Sequence, residues 1–158
     1  MFRELSRKKQ QLSEVECLRL LTEEPRGVLS VLGEDGYPYG MPMNFWCDPE
    51  SGHIFFHGGR TGHKIDALKE CDKVSFCVYD QGFRREGEWA LNIKSVIVFG
   101  EIRFVEDPAR AIEISRKLSL KYTRDTDYIE HEVEKVGAIT LCLELIPRHM
   151  TGKLVNES

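Results

Sequence analysis

The 158-residue sequence has no apolar run near the ~18–20 residues that span a bilayer, so no helical membrane segment is expected. It has no excess of basic charge: 22 Lys and Arg stand against 26 Asp and Glu, a formal net charge of −4. A nucleic-acid-binding surface is therefore not expected. It has no cysteine framework. The five cysteines, Cys17, Cys47, Cys71, Cys77 and Cys142, are odd in number and none stands at C-x-x-C spacing. They read as reduced thiols that serve as small buried hydrophobes. Met1 to Gln11 carries basic charge without an apolar stretch, so no signal peptide is expected and the chain is placed in the cytoplasm. Metal motifs are missing too: no H-E-x-x-H, no Cys/His cluster. His53 and His57 lie four apart on an expected strand, their Cα atoms about 13 Å apart at ~3.3 Å per residue, too far to share an ion. Neither G-x-S-x-G nor G-x-G-x-x-G occurs, and Thr151-Gly152-Lys153-Leu154 lacks the upstream glycine and the Ser/Thr of a P-loop.

What is present is ordinary globular composition, 41% hydrophobic and 30% charged, fitting one domain over 1–158 with 1–12 as an N-terminal extension. Ser13-Glu14-Val15-Glu16 is a capping box and predicts a helix over 13–24, ended before Pro25. Strands are expected over 27–32 and 37–46, joined by a Glu34-Asp35-Gly36 hairpin turn, with Pro38 and Pro42 limiting which amides pair in the second. A short strand over 53–57, a helix over about 62–70 and a strand over 73–79 follow.

The longest expected strand covers 91–105. Leu91, Ile93, Ser95, Ile97 and Phe99 alternate with Val96, Val98, Ile102 and Phe104, so both faces are apolar and both should be covered. Gly100 marks a bend or bulge. Asp107 as N-cap and Pro108 at the first helical position open a helix, a second helical segment over about 126–136 ends at Gly137, and a last strand covers 138–146. The connections are mostly too short for parallel crossovers. The expected fold is mainly β: an antiparallel barrel of about six strands with peripheral helices.

His57-Gly58-Gly59-Arg60-Thr61-Gly62-His63-Lys64 joins a strand end to a helix start. With Thr61 as N-cap, the amides of Gly62, His63 and Lys64 become orphan donors of the first turn. Arg60 and Lys64 add positive charge where the helix dipole disfavours it, and a bound anion reverses that sign. A phosphate site is the physical expectation; an ordinary solvated strand–helix turn would use the same residues.

Four motifs together resemble a known family: Asp-Gly-x-Pro at Asp35 to Pro38, Met41-Pro42-Met43-Asn44-Phe45, Phe56-His57-Gly58-x-x-x-Gly62-x-Lys64, and Ser95-Val96-Ile97-Val98-Phe99-Gly100. The chain is similar to the pyridoxamine 5′-phosphate oxidase-like split-barrel flavoproteins, and within them to the branch named for nitroimidazole resistance, which Met150-Thr151-Gly152-Lys153 also fits. The resemblance implies a six-stranded antiparallel split barrel and a homodimer with FMN at the subunit interface. It implies that Arg60, Thr61, Gly62, His63 and Lys64 hold the FMN phosphate. Met41, Pro42, Met43 and Asn44 would run beside the flavin ring, and Ser95 and Val96 would contact the phosphate or ribityl chain. Met150 and Lys153 would come from the other subunit, and His57 would be the catalytic residue facing substrate. Reduction of a small aromatic or nitro compound ranks ahead of pyridoxamine 5′-phosphate oxidation, since the substrate-phosphate residues of the true oxidase are not found. Heme or a deazaflavin replaces FMN in some relatives, and a non-catalytic carrier or sensor would use the same pocket.

Overall fold

The computed structural model describes residues 1–157. Helix α1 (Glu14–Glu23) opens on the expected capping box: the Ser13 hydroxyl accepts from the Glu16 amide, and the Glu16 carboxylate accepts from the Ser13 amide. Seven strands follow, β1 (Arg26–Leu32), β2 (Pro38–Asn44), β3 (Trp46–Cys47), β4 (Ile54–Gly58), β5 (Lys73–Tyr79), β6 (Leu91–Val105) and β7 (Leu141–Glu157). All pair antiparallel in one sheet of order β2-β1-β5-β6-β7-β4-β3. The two end strands, β2 and β3, are separated in the chain by Phe45 alone. One edge of the sheet therefore runs directly into the other, and the sheet has to curl into a split barrel.

The seventh strand arises at this junction. The Phe45 ring is fully buried. Its backbone N–H donates to the Tyr122 hydroxyl (2.9 Å), and its C=O lies 3.0 Å from the same hydroxyl, which also donates to the Pro25 carbonyl at 2.6 Å. With its backbone held by a side chain, Phe45 divides the strand expected over 37–46 into β2 and β3.

Three phenylalanines with no solvent exposure form the middle of the core. Phe76 of β5 meets Phe45 and Phe56 edge-on, at centroid distances of 4.9 and 5.0 Å. The inner face of β6 supplies Val96, Val98 and Ile102, and α1 adds Cys17, Leu20 and Leu21. The opposite face of β6 is only partly covered within the chain: Phe2 stacks on Phe99 at 5.6 Å, yet Phe99 stays 40% exposed and Ile97 is half-buried.

Gly100 is the expected irregularity. Gly100 pairs with Pro147 and Phe99 with His149, so Arg148 is the inserted residue of a bulge. A Cβ on Gly100 would lie 2.4 Å from the Ile146 carbonyl oxygen, which only glycine permits. The bulge also explains why β7 reaches Glu157 instead of ending near Ile146. Pro147 sits where ladder pairing is already broken, and the strand resumes beyond it. At the other end β7 reaches back to the start of the chain, where the Leu12 amide donates to the Gly152 carbonyl (2.9 Å).

Helix α2 (His63–Glu70) follows β4, while α3 (Pro108–Leu120) covers the outside of β4 and β7 and α4 (Thr126–Val136) packs against α3. The Asp107 and Asp125 carboxylates cap α3 and α4. Phe55, Val105, Ala111, Ile114 and Cys142 form a second core between α3 and the sheet. Beside it, Glu144 of β7 is 7% exposed and accepts from His53 Nδ1 (2.8 Å) and Arg110 Nη2 (2.9 Å). Glu144→Ala strips both donors of their acceptor and is expected to cost about 1–3 kcal/mol, with Glu144→Gln costing less because it keeps an acceptor oxygen. Urea titration of both variants, read as the midpoint at unchanged slope, checks the order.

Candidate functional site

Strand β4 ends at Gly58, and Gly59-Arg60-Thr61-Gly62 turns the chain into α2. The helix begins one residue later than expected. Gly62, not Thr61, is the N-cap: its φ is 116°, which a β-carbon disfavours, and its carbonyl accepts from the amides of Ile65 (2.9 Å) and Asp66 (3.1 Å). Thr61 is exposed and makes no capping bond. The amides of His63 and Lys64 remain without an acceptor among the described residues. Positions 59 and 62 face open space, with no atom within 4 Å of where a β-carbon would stand.

Lys64 is the unusual residue of this turn. Its side chain is half-buried and extends past Gly58, where a β-carbon would lie 3.2 Å from Nζ, to a contact of 3.8 Å with Met43 Sδ on β2. Among the described residues no carboxylate pairs with it. Burial holds its pKa below the ordinary lysine value. Lys64 thus carries both a desolvated ammonium and one of the two free amides, groups whose chemistry suits an anion.

Met41 to Asn44 lie on β2, which pairs with β1 alone, Leu29 opposite Met41 and Arg26 opposite Asn44. Met41 and Met43 pack against the barrel core, while Pro42 is exposed. Alternate backbone groups of such an edge strand point away from its neighbour.

His57 lies on β4 opposite Cys142 and is half-buried. It lines a half-open pocket of about 180 Å³ between β4, α3 and α4. Burial, and then the charge of Lys64, lower its pKa, so the imidazole is neutral near pH 7.

The remaining expected residues fall elsewhere. His63 stacks its ring on Tyr39 (4.1 Å between centroids), turned toward the β1–β2 hairpin. Arg60 is exposed and donates from Nη2 to the Thr140 carbonyl at 3.4 Å. Val96 is fully buried in the barrel core, and Met150, opposite Val98, packs against the same core. Ser95 and Lys153 face each other across β6 and β7 on the partly covered side of the sheet, with β1 and β5 between them and β2. One chain thus brings together Lys64, Met43 and the free amides of the turn, and holds Ser95 and Lys153 apart from them. Sequence reasoning missed Tyr39, Thr140 and the α3–α4 lining behind His57. Thr140 is 80 residues from Arg60, and no local pattern pairs them.

A family model described as pyridoxamine 5′-phosphate oxidase matches residues 13–154. The search of curated proteins gave no match. Solved structures share the fold. A protein of Bacteroides thetaiotaomicron described as a candidate 5-nitroimidazole antibiotic resistance protein is 18% identical, with a TM-score of 0.78 over 92% of this chain and 87% of that one. A conserved hypothetical protein of Mycobacterium tuberculosis is 20% identical, with a TM-score of 0.80 over 95% and 90%. An FAD binding protein of Mycobacterium smegmatis is 23% identical, with a TM-score of 0.67 over 94% and 99%.

Proposed function

Because the chain belongs to the pyridoxamine 5′-phosphate oxidase family, we propose that it is a flavoprotein which holds FMN at the Lys64 turn and reduces a small aromatic or nitro compound. The observation that carries this is Lys64 itself: a half-buried cation without a counter-ion among the described residues, on the same helix start as the free amides of His63 and Lys64. Those groups fit a phosphomonoester. Lys64 offsets its charge and the amides fix its orientation. The bare backbone at Gly59 and Gly62 leaves room for close approach. The outward backbone groups of β2 between Met41 and Asn44 suit the polar edge of a flavin ring.

Bound FMN supplies reversible two-electron transfer. His57, neutral and half-buried, keeps one ring N–H to donate to a substrate atom that gains negative charge. The apolar walls around it limit water. A second copy of the chain is the proposed cover for the open face of the sheet, and it would bring Lys153, and Ser95 opposite it, toward a shared cofactor. Five free cysteines support a reducing compartment, and the cytoplasm is the proposed location.

Titrating the protein with FMN and following flavin absorbance tests the cofactor. Saturable uptake with one FMN per chain is expected, and no uptake overturns the flavin assignment. Reducing the bound flavin and mixing it with a nitroaromatic or with air tests the chemistry. Faster reoxidation by the nitroaromatic is expected, and equal rates overturn the reductase assignment.

A further inference from the structure

The cavity behind His57 is defined by its size and its charge. It lies between β4, α3 and α4 and holds about 180 Å³. An engineered apolar cavity of about 150 Å³ binds benzene, so this half-open one has room for a single ring with small substituents. Ile129 and Val133 of α4 give it apolar walls, with Tyr128 beside them. Two of its four hydroxyls are engaged: Ser115 Oγ lies 3.5 Å from Cys142 Sγ, and Thr140 Oγ1 donates to the Val136 carbonyl at 2.9 Å, while Ser119 and Tyr128 leave theirs for a ligand. Among the described residues no lysine or arginine lines it. Arg60 touches the Thr140 carbonyl but is exposed and outside the lining.

Glu132 is the one acidic group in the lining. It is half-buried and, among the described residues, takes part in no ion pair and no side-chain hydrogen bond. A carboxylate against apolar walls, with no cation of the cavity to offset it, attracts an N–H or ammonium group and repels a phosphate. We propose that this cavity admits a single-ring, unphosphorylated substrate carrying a protonated or N–H-bearing nitrogen, and that Glu132 is its specificity-determining residue. The cavity would thus reject a phosphorylated pyridine such as pyridoxamine 5′-phosphate while His57 presents its ring to the same space. The inference rests on His57 facing substrate in the proposed flavoprotein.

Benzylamine and benzyl phosphate are matched probes, one ring each with opposite charge. Their binding is measured by calorimetry on the full chain, with and without added FMN, alongside FMN binding itself. Benzylamine should bind, benzyl phosphate should bind at least tenfold more weakly, and Glu132→Gln should weaken benzylamine on the order of tenfold to a hundredfold with FMN affinity unchanged. Benzyl phosphate binding as tightly as benzylamine, or a benzylamine affinity unaltered by Glu132→Gln, overturns the inference. FMN uptake without benzylamine binding removes the cavity inference and leaves the flavoprotein standing. Glu132-dependent benzylamine binding without FMN uptake removes the flavoprotein and keeps the cavity's selectivity.

Discussion

Replacing Lys64 with alanine should weaken FMN binding roughly tenfold to a hundredfold, the worth of one charge-assisted contact to a phosphate. The apo fold should become no less stable. In the free protein the Lys64 ammonium is half-buried, touches only the thioether of Met43 and has no carboxylate partner among the described residues. Burying that charge costs free energy that nothing in the chain returns. Alanine removes the cost, whereas a lysine with a structural role would lose stability on the same change. The pH dependence carries the same sign. The folded-state pKa is lowered, so the unfolded chain holds the proton more tightly. Wild-type stability should then rise as pH climbs toward the ordinary lysine pKa of about 10.4, and the variant should lack that component. Urea unfolding of both proteins from neutral to alkaline pH, with an FMN titration of each, measures all three quantities. Equal FMN affinities would place the phosphate elsewhere, and a less stable variant would make Lys64 a structural residue.

The largest loss of stability is expected from Phe76→Ala, at ~3–5 kcal/mol. Total stability of a domain is only about 5–15 kcal/mol, so the variant should be marginal at growth temperature. Phe76 has no exposed surface, and it is the ring on which both Phe45 and Phe56 rest edge-on. Its removal leaves a void bounded by strands that cannot collapse inward without breaking the curl of the sheet. Gly27 is adjacent: a β-carbon there would come within 2.4 Å of the Phe76 ring and 2.8 Å of the Cys77 carbonyl. Gly27→Ala is therefore destabilising in the wild type and milder in the Phe76→Ala background, where the ring is gone and only the carbonyl contact remains. A four-member unfolding cycle reads this coupling directly. Additive effects would show that the two residues do not share the space.

Local signals were legible wherever one short pattern decides one short element. The Ser13–Glu16 capping box, the β1–β2 turn, the Asp107-Pro108 helix start and the glycine bulge at Gly100 all stand where local chemistry puts them. Tertiary contacts decided the rest. Tyr122 divides β2 from β3 although it lies 77 residues from Phe45. The length of β7 was hidden because Pro147 and Arg148 look like a strand's end until the bulge opposite Gly100 is known. At the candidate site, strand–helix spacing located Lys64 and the free amides. It put the cap on Thr61 because a hydroxyl signals a cap more strongly than a backbone angle that sequence does not display. The reach of Arg60 to Thr140 and the fit of α4 over His57 needed the fold.

The long last strand has a consequence for biosynthesis. Among the described residues β7 is the only long partner of β4, it pairs with most of β6, and its Gly152 carbonyl accepts from the amide of Leu12. A nascent polypeptide that has emerged only as far as α4 carries Ile54, Phe55 and Phe56 on a strand flanked by nothing but the two residues of β3. The barrel cannot close on the ribosome before β7 is free. Until then an apolar sheet edge stands open to neighbouring chains, and a chaperone would act on it in the interval between translation of α4 and release of β7.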